Sequence, residues 1–186
     1  MNTPEEQKTH TLAVLVDNAA GVLSQVTRLF SRKGYNIDSL AVGPTDDPSV
    51  SRITIETTTD DGRARLLCNQ LRKQITVHSV TDLTECPSVR RELMLIKVRV
   101  PSSESQTKIL EVASVFRASV VDMHPECLTL AVIGQEAKAG ALQKMLEEFG
   151  ILEMARTGIV SLERGPATIS DHTKMKGEFD YGKNLL

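Results

Sequence analysis

"HTLAVLVDNAAGVLSQVTRLFSRKGYNIDSL", residues 10–40, joins a strand-like run to a helical one through a short Asp-Asn-Ala-Ala-Gly passage. Residues 10–17 are rich in Leu and Val and alternate weakly, which predicts a strand. From Val22 the apolar positions Val22, Leu23, Val26, Leu29 and Phe30 follow helical spacing and make one stripe. Arg32 and Lys33 suit the last turn, where cations meet the helix dipole. Gly34 is a natural stop, and residues 35–43 read as a strand closed by Gly43-Pro44.

Further along, TDDPS is a loop. Residues 50–58 alternate, with Ile53 and Ile55 on one face and Arg52, Thr54 and Glu56 on the other. Asp60-Asp61-Gly62 reads as a turn, Ala64, Leu67, Cys68 and Leu71 as a second helical stripe, and residues 75–84 as a strand. After a linker at Cys86-Pro87-Ser88 the order recurs. Strands are expected at 93–100, 119–124, 127–133 and 151–162, and helices at 106–116 and 137–149, with Gly150 stopping the last. Each half is β-α-β-β-α-β, an order that folds as one antiparallel sheet with two helices on one face. The predicted class is therefore α+β, two tandem ferredoxin-like domains over 9–85 and 90–165. The mixed, polar segment 166–186 is a tail, either mobile or docked. One sheet face of each domain is left without helices, and apolar residues on both faces of 12–16 predict that something covers it: the other repeat or a second subunit.

The composition excludes several function classes. A net charge of -2, four Phe, two Tyr and no Trp offer neither a basic stripe nor a stacking platform for nucleic acid. Cys68, Cys86 and Cys127 are far apart and form no CxxC pair, which speaks against zinc and redox motifs and for a reducing compartment. The N-terminus resembles neither a signal nor a transit peptide, and no apolar run approaches the roughly 18 residues of a membrane span. A cytoplasmic protein is expected. His10, His78, His124 and His172 show no metal-ligand spacing, and no nucleophile elbow, HExxH or phosphate-binding Walker loop is present. Asp46 and Asp47 supply too few oxygens for calcium, and Asp is common in turns.

The loop after the first strand remains. Its backbone N–H groups open a helix without intrahelical partners, the dipole favours an anion there, and Gly21 lets a ligand approach the backbone. Asn18 can cap the helix or accept from an ammonium group. A carboxylate beside an ammonium is an amino acid. A plainly capped helix with glycine for turn geometry would use the same residues. Asn36, in GYNID, is another compact donor and acceptor, but it lies about a helix length from Asn18, on the order of 20 Å at 1.5 Å per residue. Only a two-fold neighbour could bring both to one small ligand. Repeat two has Pro-Ser-Ser-Glu-Ser where repeat one has Asp-Asn-Ala-Ala-Gly, so any such site is lost there.

The stretch LVDNAAGVLSQVTRLFSRKGYNIDSLAVGPTDDPSVSRITI (15–55) closely resembles the N-terminal ACT domain of the regulatory small subunits of acetohydroxyacid (acetolactate) synthase. EVASVFRASVVD (111–122) and EMARTGIVSLERG (153–165) resemble their C-terminal domain. The resemblance implies a non-catalytic chain that dimerises through its ACT domains. Such a chain activates a large catalytic subunit and confers feedback inhibition by a branched-chain amino acid, valine foremost. It implies no cofactor on this chain and thiamine diphosphate, magnesium and FAD on the catalytic subunit. Carried over by position, the effector site is Asn18, Gly21, Val22 and Leu23, with Asn36 and Ile37 from the neighbouring subunit. Val22 would help shape an apolar pocket near Ile37. The alternatives are an ACT-type amino-acid sensor for a different enzyme, a transcription regulator, which lacks a helix-turn-helix segment here, and a small ferredoxin-like acyl-phosphate hydrolase. The last needs an arginine at the start of the helix, and Arg28 and Arg32 sit down its length.

Overall fold

The computed structural model describes residues 7–171; His172 and the rest of the tail lie outside the described residues. Among the described residues, 7–38, 42–88 and 163–171 form one compact unit, and Ser39–Ala41 with Val89–Leu162 form a second.

The first unit carries β1 (Lys8–Asp17), α1 (Val22–Lys33), β2 (Ser39–Pro44), β3 (Val50–Thr59), α2 (Asp61–Arg72) and β4 (Val77–Asp82). The strands form an antiparallel sheet in the order β2-β3-β1-β4. The α1 stripe buries Val22, Val26 and Phe30, and α2 buries Ala64, Leu67, Cys68 and Leu71. They meet Leu12, Val14, Ile53, Ile55 and Val80, all 0–1% exposed. Burying each such large side chain is worth about 1.5–3 kcal/mol. The opposite sheet face is closed as well, yet polar: Thr11, Thr54, Glu56 and Ser79 are all buried.

The second unit repeats the order with β5 (Ser88–Arg99), α3 (Ser103–Val115), β6 (Ser119–His124), β7 (Cys127–Gly134), α4 (Glu136–Leu146), β8 (Ile151–Arg156) and β9 (Val160–Glu163). A 3₁₀ turn (Glu147–Phe149) follows α4. The sheet order is β6-β7-β5-β8, with β9 also on β5. Met94, Ile96, Val98, Leu128, Leu130 and Val132 pack on Ile109, Ala113, Ala139, Leu142 and Leu146. Both units are thus ferredoxin-like, as the sequence pattern predicts.

Four expectations need correction. Residues 35–38 are not strand, because Asn36 and Asp38 spend their polar groups on each other and on β3. Asp60-Asp61-Gly62 is not a turn but the start of α2: the Asp60 carboxylate accepts from the Arg63 N–H at 2.7 Å, an ordinary N-cap. The linker at 86–88 is shorter than expected, since β5 begins at Ser88. The final strand is two strands, parted around Gly158 at φ 78°.

All three cysteines are free. Burial beneath α2, with Asp82 nearby, pushes the Cys68 thiol up to about 11. Against its ordinary value of 9.0, that leaves roughly 100-fold less thiolate near pH 8, and the thiolate is the reactive form. Alkylation followed by mass spectrometry should therefore modify Cys68 at least about 100-fold more slowly than an exposed thiol until the protein unfolds. Rapid native labelling of Cys68 would contradict its placement.

Candidate functional site

The first unit builds the site around the two ends of α1. At the N-terminal end, β1 finishes at Asp17, whose N–H donates to the Thr76 carbonyl at 2.9 Å. Asp17 Oδ1 lies 2.7 Å from His78 Nε2. Asn18 then turns toward the 45–50 loop: its N–H donates to Ser49 O at 2.7 Å and its Nδ2 to Pro48 O at 2.8 Å. One of the two side-chain N–H donors is thus used, and the bond orients the amide so that its oxygen can serve an ammonium group.

Gly21 occupies the N-cap of α1 at φ 85°, a left-handed conformation that favours glycine. No side chain caps the helix and no acid stands in its first turn. Residues 18–21 are exposed. The positive end of the dipole is therefore uncompensated by any side chain, and the Val22 N–H makes only a long bond, 3.4 Å to Ala19 O, a condition under which a carboxylate can be bound. Val22 is 3% exposed, so its side chain belongs to the core and only its backbone faces this loop; Leu23, at 40%, is on the surface.

At the other end, Gly34 takes φ 70° and the Tyr35 N–H returns to Phe30 O at 3.0 Å. Tyr35 is held three ways. Its ring meets Phe30 edge-on at 6.2 Å, the Arg63 guanidinium lies 4.8 Å over it, and its hydroxyl donates to Arg63 O at 3.0 Å. Asn36 follows from this clamp. Its carbonyl accepts from Thr57 Oγ1 at 2.7 Å and its Nδ2 donates to Asp38 Oδ1 at 2.5 Å. Asn36 is exposed and Ile37 half-buried. A helix of 12 residues separates the two ends, about 18 Å at 1.5 Å per residue. Asn18, Gly21, Val22 and Leu23 are thus brought together, and Asn36 and Ile37 are together, but one chain does not unite the two groups.

The other candidates have structural employment. The Asp47 carboxylate accepts from Ser49 N–H and Oγ at 2.8 and 2.7 Å, and these bonds hold it below its usual range. His10 is buried between Asp82 at 2.8 Å and Asp61 at 3.3 Å, and His124 accepts from the Glu126 N–H at 3.3 Å. Among the described residues no group of three His, Cys, Asp or Glu is placed to hold a metal, and no helix is long and apolar enough to cross a membrane. A cavity of about 270 Å³ in the second unit, lined by Arg90, Arg91 and the start of α4, was not foreseen from the sequence; its lining shows no spacing motif.

Comparison with known proteins places these elements. A family model for an AHAS small subunit-like ACT domain matches residues 12–79, and one for the small subunit of acetolactate synthase matches 91–165. The acetolactate synthase small subunit of Mycobacterium bovis is 46% identical over 162 residues, which cover 87% of this chain and 96% of that one. The chain belongs to the acetolactate synthase small subunit family. The Aquifex aeolicus small subunit is 44% identical, over 83% of this chain and 81% of its own. The crystal structure of the Thermotoga maritima small subunit superposes with a TM-score of 0.79 at 34% identity, covering 86% of this chain and 99% of that one. Both ends of α1 fall inside the ACT match, and the second match closes just after β9.

Proposed function

We propose that this chain is the regulatory subunit of acetolactate synthase: it binds and activates a catalytic large subunit and confers feedback inhibition by a branched-chain amino acid, valine foremost. The observation that carries the reading is the uncapped, glycine-started N-terminus of α1 in the ACT region. It is a carboxylate site with no nucleophile beside it. The N–H groups at Gly21, Val22 and Leu23 take the effector carboxylate, and the Asn18 amide oxygen takes its ammonium. Asn36 and Ile37 come from a second copy, because α1 keeps them too far away within one chain. The effector thus joins two ACT domains, and the region 9–85 serves binding and dimerisation. The region 90–165, without an equivalent glycine loop, serves assembly and contact with the catalytic subunit. Thiamine diphosphate, magnesium and FAD belong to that subunit in this reading. Control requires only that the effector favour one arrangement of the assembly, and couplings of about 1–3 kcal/mol are typical.

Calorimetry with valine, leucine and isoleucine tests this. Saturable binding is expected, weakened at least about tenfold in Asn36→Ala by loss of a hydrogen bond to a charged group. An unchanged affinity in Asn36→Ala would show that the second half of the site is misassigned. Binding of an unrelated amino acid alone would favour an ACT sensor for another enzyme.

A further inference from the structure

The matched family region ends at residue 165, and the described chain continues to Asp171. Those last residues are ordered by their own bonds and rest on the first unit. The Arg164 N–H donates to Pro87 O at 2.8 Å. The Asp171 carboxylate accepts from Thr168 N–H at 2.7 Å and Thr168 Oγ1 at 2.8 Å, which closes a turn around Ile169 and Ser170. Within that turn Ile169 is half-buried while residues 164–168 and 170–171 are exposed. Its carbonyl accepts from Ser79 Oγ at 2.8 Å.

Ser79 pairs with Leu15 across β1 and β4, on the sheet face opposite the helices, and is 4% exposed. This anchor lies close to the effector loop. The β1–β4 register shifts between Leu15 and Val16, directly beside Ser79. Adjacent His78 bonds the Asp17 carboxylate, and the Asp17 N–H donates to Thr76 O. Asp17 is the residue before Asn18. A bulge is a local kink whose geometry follows its neighbours, so what holds Ser79 also holds the end of β1.

We propose that residues 165–171 form a strap that docks at Ser79 on the sheet face opposite the helices and fixes the β1–β4 bulge, and with it the 18–23 loop, in one geometry. Its regulatory meaning rests on the effector reading above; its docking and coupling do not.

Hydrogen exchange read by mass spectrometry tests it on four full-fold forms: the intact chain, a chain stopped after Asp171, one stopped after Gly165, and Ser79→Ala. The intact chain and the form ending at 171 should exchange alike. The form ending at Gly165 should exchange at least tenfold faster over 77–82 and at least threefold faster over 18–23, with Ser79→Ala in between. The small subunit family match ends at residue 165, which argues that the shorter form keeps the folded core, and Ser79→Ala supplies the same test without truncation. Equal exchange in all forms, acceleration confined to 77–82, or a form ending at 171 that behaves like the one ending at 165 would each overturn the proposal. A valine titration of the same forms separates the two readings. A threefold or larger loss of affinity without the strap supports both. Altered exchange with no branched-chain amino acid bound by any form would remove the effector reading and leave the strap standing.

Discussion

Gly21→Ala should leave the chain folded and abolish most of its response to the effector. The two halves of that expectation have separate causes. Gly21 sits at φ 85°, where a β-carbon is strained, at a cost of roughly 1–2 kcal/mol. A β-carbon built there meets no other atom within 4 Å. The fold therefore pays only the backbone strain, and a loss of about 2–8 °C in Tm follows for a chain of this size. The effector loses more. In the proposed site the carboxylate approaches the N–H groups at the start of α1 through the open space beside Gly21, and a methyl group would stand in the way. Losing two hydrogen bonds to a charged group at about 1.5 kcal/mol each lowers affinity by roughly 100-fold. Calorimetry and a thermal melt of the same preparation check both parts. An affinity within twofold of the parent, with the expected loss in Tm, would mean that the carboxylate does not bind at this helix end.

The fold was legible wherever apolar spacing and a glycine agreed. The start of α1 at Val22 and its stop at Gly34 are such places: the stripe buries Val22, Val26 and Phe30, and Gly34 takes the left-handed cap. The reading failed where side chains, rather than periodicity, set the backbone. Asn36 and Asp38 delay β2 by bonding each other and β3. Asp60 resembles a turn residue in sequence and acts as a helix cap in space. The single strand expected over 151–162 breaks around Gly158, which a run of β-formers conceals. For the candidate site, the sequence offers residue chemistry and the structure adds geometry. The sequence shows that Asn18 can donate or accept; only the structure shows one of its N–H donors held by Pro48. Val22 was expected to shape a pocket, and its burial in the core leaves it a backbone role. The strap gave no signal, because a polar segment without a stripe reads the same whether docked or free.

Phe30→Ala should produce the largest loss of stability among single changes near the site, and it should also disturb the effector. Phe30 is 1% exposed in the core beneath α1, and truncating such a ring costs about 3–5 kcal/mol. Against a total of about 5–15 kcal/mol for a typical domain, that is a drop of roughly 6–20 °C in Tm for a chain of this size. The ring also ends the clamp that places Asn36. Its edge meets Tyr35 at 6.2 Å, a contact worth about 0.5–1.5 kcal/mol beyond its area. Phe30→Leu separates packing from clamping. It fills most of the volume and should recover stability to within about 1.5 kcal/mol of the parent, yet it cannot restore the edge-on contact. Effector affinity in Phe30→Leu should stay below that of the parent even when both are fully folded. Leu130→Ala, in the core of the second unit, is the control: it should cost similar stability and leave effector affinity unchanged at temperatures where the first unit is intact. If Phe30→Leu binds as the parent does, Tyr35 keeps its place through Arg63 alone, and the arginine rather than the end of α1 positions the second half of the site.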